Sequence, residues 1–315
     1  MAGLEKKAYK GLFAAEWAMT VYLVITTAII LIAYDRLPSS ASMLVLRLRI
    51  VLITAAMVVL YRLLPCGVTR LARIIVQLVL LSWWYPDTFE FNRVLPNLDH
   101  LFAQADQTIF ACQPALLFAQ VLDYKFFSEL MCLGYVCYYP LIAVVVLYFF
   151  FCRRKDFLRA SFIIIASFFI YYIIFIALPV AGPQYYYPAV GLKNIAEGIF
   201  PAMGNYFSQI REALPTPGGN GGFFHSLVAG AHSAGERPTA AFPSSHVGIT
   251  TILMLLVRKA KGTTLLKIMI PFYIILCLST VYIYAHYVVD VFGGWLSAFI
   301  LFYTLNAIHK LTFNS

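Results

Sequence analysis

The sequence has 315 residues, of which 62% are hydrophobic and only 12% are charged, whereas a typical soluble chain is about 25% charged. This composition excludes an ordinary soluble domain and predicts an integral membrane protein. The formal charge is +9, but the lysines and arginines cluster in short turns between apolar runs. We therefore interpret them as determinants of topology and expect no nucleic-acid partner.

Apolar runs long enough for membrane-spanning helices occur about eight times. They cover residues 12–34, 43–61, 71–85, 129–151, 161–179, 244–260, 266–284 and 287–307. The first run is too long for the core of a signal peptide, so we expect it to be a retained helix. These runs predict an all-α, polytopic transmembrane helix bundle.

The distribution of cations predicts the topology, because short cytoplasmic loops carry an excess of Lys and Arg. An arrangement with the N-terminus inside and eight crossings places most of the 23 cations inside, including Lys6, Lys7 and the turn Arg153–Lys155. It leaves both termini in the cytoplasm and the two long segments, 86–128 and 180–243, on the outer side. That side is the periplasm in a bacterium or a lumen in a eukaryote, and both remain open.

The two long segments differ in character. The first contains NLDHLFAQADQTIFA, whose apolar residues recur at helical spacing. We predict an amphipathic interfacial helix there, with Asp99 and Asp106 on its polar face. The second is rich in Gly and Pro and contains Tyr185, Tyr186 and Tyr187. These tyrosines are interpreted either as a platform for a sugar headgroup or as an aromatic belt at the interface.

Ionisable residues at the ends of spans are costly in lipid and are therefore candidates for function. His246 begins the sixth predicted span, while His286 and Asp290 lie at the junction of the last two. Four residues apart on a helix, His286 and Asp290 share one face, so the carboxylate is expected to fix the imidazole tautomer. Both histidines emerge at the same leaflet, where a nucleophile and an acid can converge on one phosphate. The alternative is a pair of interfacial imidazoles without chemistry.

Further groups near His246 are suited to anion binding. The hydroxyls of Ser244 and Ser245 open a helix, and a helix N-terminus favours a bound anion. Arg237 is the cation closest to them in sequence, and it is expected either to reach the phosphate or to anchor its loop. Such a set can transfer a phosphoryl group without a metal or another cofactor, and we predict neither.

Two segments together resemble a known family. PSSH (243–246), followed by Ser279, His286 and Asp290 in the pattern SxxxxxxHxxxD, is similar to the second and third signature motifs of the type 2 phosphatidic acid phosphatase superfamily, written PSGH and SRxxxxxHxxxD. The resemblance implies a phosphohistidine on His286, orientation by Asp290, an acid at 246, and substrate contacts at Ser279 and Thr280.

The sequence departs from the family pattern at two cations. Thr280 stands where the third motif has Arg, and the first motif, KxxxxxxRP, is absent, since Arg237-Pro238 has Gly230 in place of the Lys. The strings TVYIYAHYVVDVFGGW and AAFPSSHVG are similar to segments of fungal-type inositol phosphorylceramide synthases and their bacterial relatives, which lack that Arg. Fewer cations suit a phosphodiester, which carries one negative charge rather than about 1.5 to 2.

The resemblance implies one integral membrane domain (1–315), with residues 1–70 as peripheral spans and 71–315 as a catalytic core of six phosphatase-like helices. It implies a lipid phosphotransferase that moves a headgroup, such as phosphoinositol, from phosphatidylinositol to ceramide. A hydrolase of phosphatidate, phosphatidylglycerophosphate or polyprenyl diphosphate is the alternative. A transporter or lipid-binding scaffold without chemistry is a third hypothesis. The oligomeric state stays open.

Overall fold

The chain folds almost entirely into helices. The computed structural model describes residues 9–219, 222–235 and 237–313, and no β-strand occurs among them. Lys6 and Lys7, which the topology argument placed inside, lie outside the described residues. In chain order the helices are α1 (Ala14–Ile32), α2 (Ser40–Leu63), α3 (Gly67–Asn92), α4 (Asp99–Phe110), α5 (Pro114–Val121), α6 (Lys125–Val136), α7 (Tyr138–Cys152), α8 (Phe157–Ala177), α9 (Pro183–Val190), α10 (Leu192–Ala196), α11 (Phe223–Gly235), α12 (Ser245–Lys259), α13 (Thr263–Tyr282) and α14 (Val288–Phe313), with a 3-10 turn at Tyr206–Ser208.

Seven helical segments of the described chain are long and apolar enough to cross a membrane. They are α1, α2, α3, α8, α13, α14 and the continuous pair α6–α7, Lys125–Cys152. The predicted polytopic helical bundle is confirmed, and these segments correspond to seven of the eight predicted spans. They fit an integral membrane protein.

The sixth predicted span, 244–260, is the exception. Helix α12 has 15 residues, about 22 Å at 1.5 Å per residue, which is less than the roughly 30 Å of a hydrocarbon core. Most of its apolar side chains between Val247 and Val257 are buried, and the helix packs against α7, α8, α13 and α14. The predicted span is thus shorter than a typical membrane helix, and its hydrophobicity serves packing inside the bundle rather than contact with lipid.

The long segments between spans contain short helices. The first holds α4 and α5, and the second holds α9, α10 and α11. Helix α3 also extends beyond its predicted end at residue 85, because Pro86 lies inside the helix rather than ending it. The bundle is built around α8, whose residues are mostly buried and which packs against α1, α3, α7, α12 and α14.

Two buried ion pairs join the N-terminal spans. Arg73 of α3 pairs with Glu16 of α1, and Arg47 of α2 pairs with Asp87 of α3 at 2.6 Å. Charges inside an apolar bundle need such partners. The first three helices are therefore tied to one another, and α1 also packs on α8. The division of the domain at residue 70 stays a prediction; that residue lies in the first turn of α3.

Glycines allow α12 and α14 to approach closely. A Cβ on Gly294 would lie 2.7 Å from the carbonyl oxygen of Ser244, and a Cβ on Gly248 would lie 3.1 Å from the carbonyl oxygen of Gly294. The Ser244 N–H also donates to the carbonyl of Asp290 at 3.0 Å. Small residues permit this kind of helix contact in membranes. The contact sets the distance between the chain segments that carry the two halves of the candidate site.

We predict that Gly294→Ala destabilises the protein, because the added methyl group cannot be placed without moving backbone. Overpacking of this kind costs about 1 to 3 kcal/mol, so the thermal midpoint in detergent is expected to fall and activity with it. Gly230→Ala on α11 is the control, since a Cβ there meets nothing within 4 Å. Equal midpoints for the two variants would contradict the close approach.

Candidate active site

The structure brings His246 and His286 together. His246 lies in the first turn of α12, and His286 lies in the loop 283–287 that joins α13 to α14. Their ring centroids are 5.8 Å apart and their planes are inclined by 64°. Groups that react or exchange a proton approach to about 3 Å. The gap therefore suits one phosphoryl group between the two rings.

Two tyrosines hold the ring of His246. The centroids of Tyr135 and Tyr138, at the junction of α6 and α7, lie 4.5 and 4.3 Å from the imidazole centroid. The Tyr138 hydroxyl also donates to the carbonyl of Ser245 at 3.5 Å. These contacts orient the imidazole and place an aromatic wall beside it.

A backbone carbonyl determines the tautomer of His286. Its Nδ1 lies 2.7 Å from the carbonyl oxygen of Ala241. A carbonyl oxygen only accepts hydrogen bonds, so Nδ1 must carry the proton. The lone pair of the neutral ring is then on Nε2, the nitrogen that can act as a nucleophile.

Asp290 lies within reach of the imidazole, as expected, but the shorter contact of Nδ1 is with Ala241. His286 lies in the loop before α14, so the pair, four positions apart in sequence, does not share a face of one helix. The Oδ2 atom of Asp290 is 3.5 Å from Nδ1, farther than the Ala241 oxygen, and it accepts the Tyr287 N–H at 2.9 Å. Asp290 thus braces the loop backbone and lies near the imidazole, while Ala241 makes the short bond. No side-chain signal in the sequence could reveal a backbone acceptor.

Burial keeps His286 neutral. The residue is 3% exposed and lies in a loop outside the membrane-spanning helices. Desolvation, together with the nearby His246, lowers the pKa of His286 to about 3, although the bond to Ala241 opposes the shift. No lysine or arginine is among the described residues that shift the pKa of His286. The imidazole is therefore an uncharged base at neutral pH.

Two acids of α4 hold the His286 loop, and sequence analysis placed them wrongly. Asp106 accepts hydrogen bonds from the N–H groups of Val288 and Val289 at 2.9 and 3.0 Å, and so caps the first turn of α14. The pKa of Asp106 is raised, because the effect of burial exceeds that of the two accepted hydrogen bonds, which lower it. The side chain is 0% exposed, rather than on a polar face in water.

Asp99 makes a second connection to the same loop. It accepts hydrogen bonds from the N–H groups of Ala181 and Gly182 at 2.6 and 2.8 Å, and from the Tyr287 hydroxyl at 3.0 Å. Tyr287 is the neighbour of His286, so Asp99 ties the loop to the segment after α8. Two acids seven residues apart, on one face of a helix beside a membrane, were the signal that could have revealed buried partners.

The hydroxyls expected to bind phosphate have partners within their own helices. Ser244 Oγ accepts the Val247 N–H at 3.4 Å and caps α12. Ser279 and Thr280 donate to carbonyls three residues earlier in α13, at 2.8 and 2.9 Å. Ser245, at the first position of α12, is half-buried.

Main-chain hydrogen bonds hold the loop of His286 and the segment of Ala241 in place. The carbonyl of Thr280 accepts the His286 N–H at 3.0 Å, and the Ala241 N–H donates to the carbonyl of Val180 at 2.9 Å. The contribution of Thr280 seen in the structure is therefore to position the loop through its backbone.

Arg237 is not beside the two imidazoles in its described contacts. Its Nη1 lies 3.2 Å from Glu90 Oε1, and its guanidinium lies 5.4 Å from the ring centroid of Phe89. Its charge is thus partly compensated by a carboxylate at the end of α3. These contacts tie Arg237 to α3, and a role toward the substrate phosphate stays a prediction.

The three tyrosines of α9 are buried rather than displayed. Tyr186 donates to the carbonyl of Pro201 at 2.8 Å, and Tyr187 donates to Gln113 at 2.9 Å. Tyr185 is 5% exposed. Both earlier interpretations, a headgroup platform and an interfacial belt, required accessible rings, and burial of these rings corrects both. Their hydroxyls join α9 to neighbouring segments instead.

Within the described ranges, no three His, Cys, Asp or Glu side chains are grouped so as to hold a metal ion. The groups that can do chemistry here are the two imidazoles, the carboxylates behind them and the backbone at the start of α12.

We predict that Asp106→Ala slows turnover by about 10- to 100-fold with little change in KM. Charge-assisted hydrogen bonds contribute roughly 1.5 to 3 kcal/mol, and two of them hold the turn that follows His286. The measurement is kcat and KM of the purified protein. Asp35→Asn is the control, because Asp35 is exposed. A higher KM at unchanged kcat would show that Asp106 contributes to substrate binding rather than to positioning.

We predict that His286 stays neutral as the pH falls from about 8 to 5. A lowered pKa means that the proton is taken up only as the pH approaches about 3, so the nucleophile is not lost in this range. The imidazole ¹⁵N chemical shifts of His286, compared with those of His286→Ala to assign them, report protonation and the Nδ1–H tautomer directly. A midpoint near the ordinary value of about 6.5 would contradict the burial argument.

Comparison with known proteins agrees with the motifs. The model of the PAP2 superfamily matches residues 99–304, which is more than half of the chain and includes both histidines. No curated protein and no solved structure matches the chain. Membership in this superfamily indicates an enzyme that acts on phosphate esters, with phosphatase or phosphotransferase chemistry on lipids. The chain belongs to the PAP2 superfamily.

Proposed function

We propose that this protein is a lipid phosphotransferase that moves a phospho-headgroup, phosphoinositol in our hypothesis, from a glycerophospholipid to the hydroxyl of a ceramide and releases diacylglycerol. The observation that carries the proposal is the pair of imidazoles 5.8 Å apart, of which His286 is buried, neutral and protonated on Nδ1. One ring is suited to attack phosphorus, and the other is placed to exchange a proton.

The first step forms a phosphohistidine. Nε2 of His286 attacks the phosphorus of the diester, and the bond from phosphorus to the diacylglycerol oxygen breaks. His246 gives its proton to that oxygen, so diacylglycerol leaves neutral. As the imidazole of His286 gains positive character, the carbonyl of Ala241 and the nearby Asp290 stabilise it.

The second step reverses the roles. A lipid hydroxyl approaches from the side that the diacylglycerol has left, and His246 removes its proton as the oxygen attacks phosphorus. The N–P bond breaks and His286 returns to its neutral form. No metal or other cofactor takes part in this scheme.

The choice of a diester donor rests on charge. Thr280 replaces the arginine of the family motif, and its hydroxyl is buried and bonded to the carbonyl of Cys277. Arg237 is paired with Glu90. A phosphomonoester with about 1.5 to 2 negative charges would need more cations than a diester with one. The low exposure of His286 also favours a lipid hydroxyl over water as the acceptor.

The distribution of cations supports an extracytoplasmic site with both termini in the cytoplasm. Helix α12 begins at the histidine pair and ends at Arg258 and Lys259. Its length puts these cations about 22 Å from the site. Lys259 Nζ lies 2.7 Å from Asn306 near the end of α14. Because cytoplasmic ends are rich in Lys and Arg, the opposite end, with the site, is assigned to the periplasm or lumen.

We predict that the purified protein in detergent converts phosphatidylinositol and ceramide into diacylglycerol and a phosphoinositol sphingolipid. Radiolabelled headgroup is expected to remain on the protein when ceramide is omitted and to be absent from His286→Ala. His309→Asn, at the far end of α14, is the control and should retain activity. Chromatography of labelled lipids gives both products.

Two outcomes separate the alternatives. Release of inorganic phosphate from phosphatidate, without a sphingolipid product, would identify a hydrolase of the superfamily. Full activity of His286→Ala would remove the phosphohistidine from either reaction and support a scaffold or transporter.

A further inference from the structure

Three arginines surround one aromatic ring at the end of α3. The guanidinium carbons of Arg93, Arg211 and Arg237 lie 5.9, 4.7 and 5.4 Å from the ring centroid of Phe89. We call these arginines, with Phe89 and Glu90, the Phe89 cluster. The arginines come from three separate parts of the chain, so the fold rather than local sequence gathers them.

Among the described residues, the Phe89 cluster is positively charged overall. Glu90 pairs with both Arg93 and Arg237, at 3.0 and 3.2 Å. Arg211 is exposed and has no ion pair with any described residue. Three guanidinium groups therefore share one carboxylate. Like charges this close repel each other, and an anion among them would offset the repulsion.

Two buried donors in the cluster lack acceptors. The Nε atoms of Arg93 and Arg237 are buried and have no hydrogen-bond partner among the described residues. An unmet buried donor costs about 1 to 3 kcal/mol, and more when it is charged. These groups add to the cost of gathering the arginines, and an anion bound among the guanidinium groups would offset the repulsion.

A cleft opens beside the cluster. It is shallow and open to the surface, and it is lined by Phe89, Arg93, Asn205, Ser208 and Pro238, among others. Arginine and aromatic side chains with amide and hydroxyl groups suit a phosphate that carries an organic substituent.

The cluster lies at the same end of the bundle as the histidines. Thr239 donates to Asn92, the last residue of α3, at 2.5 Å, and Ala241 two residues later accepts the bond from His286. Arg237 is four residues from Ala241, at most about 14 Å along an extended chain. Because α3 is a candidate membrane span, its end lies at the membrane surface, where lipid headgroups are found.

We propose that the Phe89 cluster is a second anion site, distinct from the transfer centre, which binds the phosphate of an anionic lipid headgroup at the membrane surface. The phosphate lies among the three guanidinium groups and accepts hydrogen bonds from their nitrogen atoms, while the rest of the headgroup lies over the open cleft. None of the five residues of the Phe89 cluster is a histidine, serine or cysteine, so the cluster is expected to hold its lipid without reaction.

The test measures binding without turnover. All proteins carry His286→Ala, so failure of the proposed reaction does not affect the outcome. Native mass spectrometry compares retention of phosphatidic acid with that of phosphatidylcholine. We expect the parent protein to prefer phosphatidic acid, and Arg93→Gln with Arg211→Gln to lower its retention about tenfold or more, as expected for loss of charge-assisted bonds. Arg154→Gln with Lys155→Gln, two exposed cations after α7, should leave retention unchanged.

Two further measurements separate loss of binding from unfolding, and recognition of phosphate from contacts with the acyl chains. The single variant Arg211→Gln changes an exposed side chain and is expected to fold, so its loss of retention reports binding rather than unfolding. Displacement of the lipid by millimolar inorganic phosphate would show that phosphate alone is recognised, and resistance to displacement would show that the acyl chains contribute. Equal retention by the parent and both arginine variants would overturn the proposal, as would equal loss in the Arg154 and Lys155 control.

Discussion

The hydrogen bond from His286 Nδ1 to the carbonyl of Ala241 is the contact on which the rest of the site depends. It joins the loop before α14 to the segment before α12, and it leaves the lone pair of the imidazole on Nε2. The backbone beside this hydrogen bond is closely packed. A Cβ on Gly182, whose φ is +92°, would lie 2.7 Å from the carbonyl oxygen of Ala285. Only glycine fits both this space and this conformation. Orientation of the nucleophile thus comes from backbone packing as much as from side chains.

Helix α4 is amphipathic in the sense opposite to that of a soluble protein. Leu101 and Ile109 are exposed, while Asp99 and Asp106 are fully buried and bonded to backbone N–H groups. In an apolar surrounding, unmet donors at the start of α14 would be costly, and carboxylates supply strong acceptors. The apolar face remains available to lipid, as expected for an interfacial helix. One helix thereby contacts the bilayer and also stabilises the loop that carries His286.

The charges of the molecule are separated by role. Around His286 the contacts are a carbonyl, a carboxylate and a second imidazole, and burial keeps the ring neutral. Arg93, Arg211 and Arg237 lie instead in the Phe89 cluster, and Arg258 and Lys259 lie at the far end of α12. An uncharged nucleophile in a dry site suits a substrate of low charge, whereas cations at the surface suit anionic headgroups. The surroundings of His286 therefore suit a substrate of low charge, and the Phe89 cluster suits an anionic headgroup.

Composition and the long apolar runs by themselves determined the class of protein, because about 20 consecutive apolar residues cross a bilayer as a helix that satisfies its own backbone hydrogen bonds. The spacing of PSSH and of His286 and Asp290 was enough to nominate the site and its family. Tertiary structure alone decided that α12 is a buried core helix, that Ala241 rather than Asp290 makes the short bond to His286, and that Asp99 and Asp106 face inward. It also decided that Tyr185 to Tyr187 are internal. These features depend on backbone atoms and on neighbours distant in sequence, and neither residue type nor periodicity records which atoms a fold brings together.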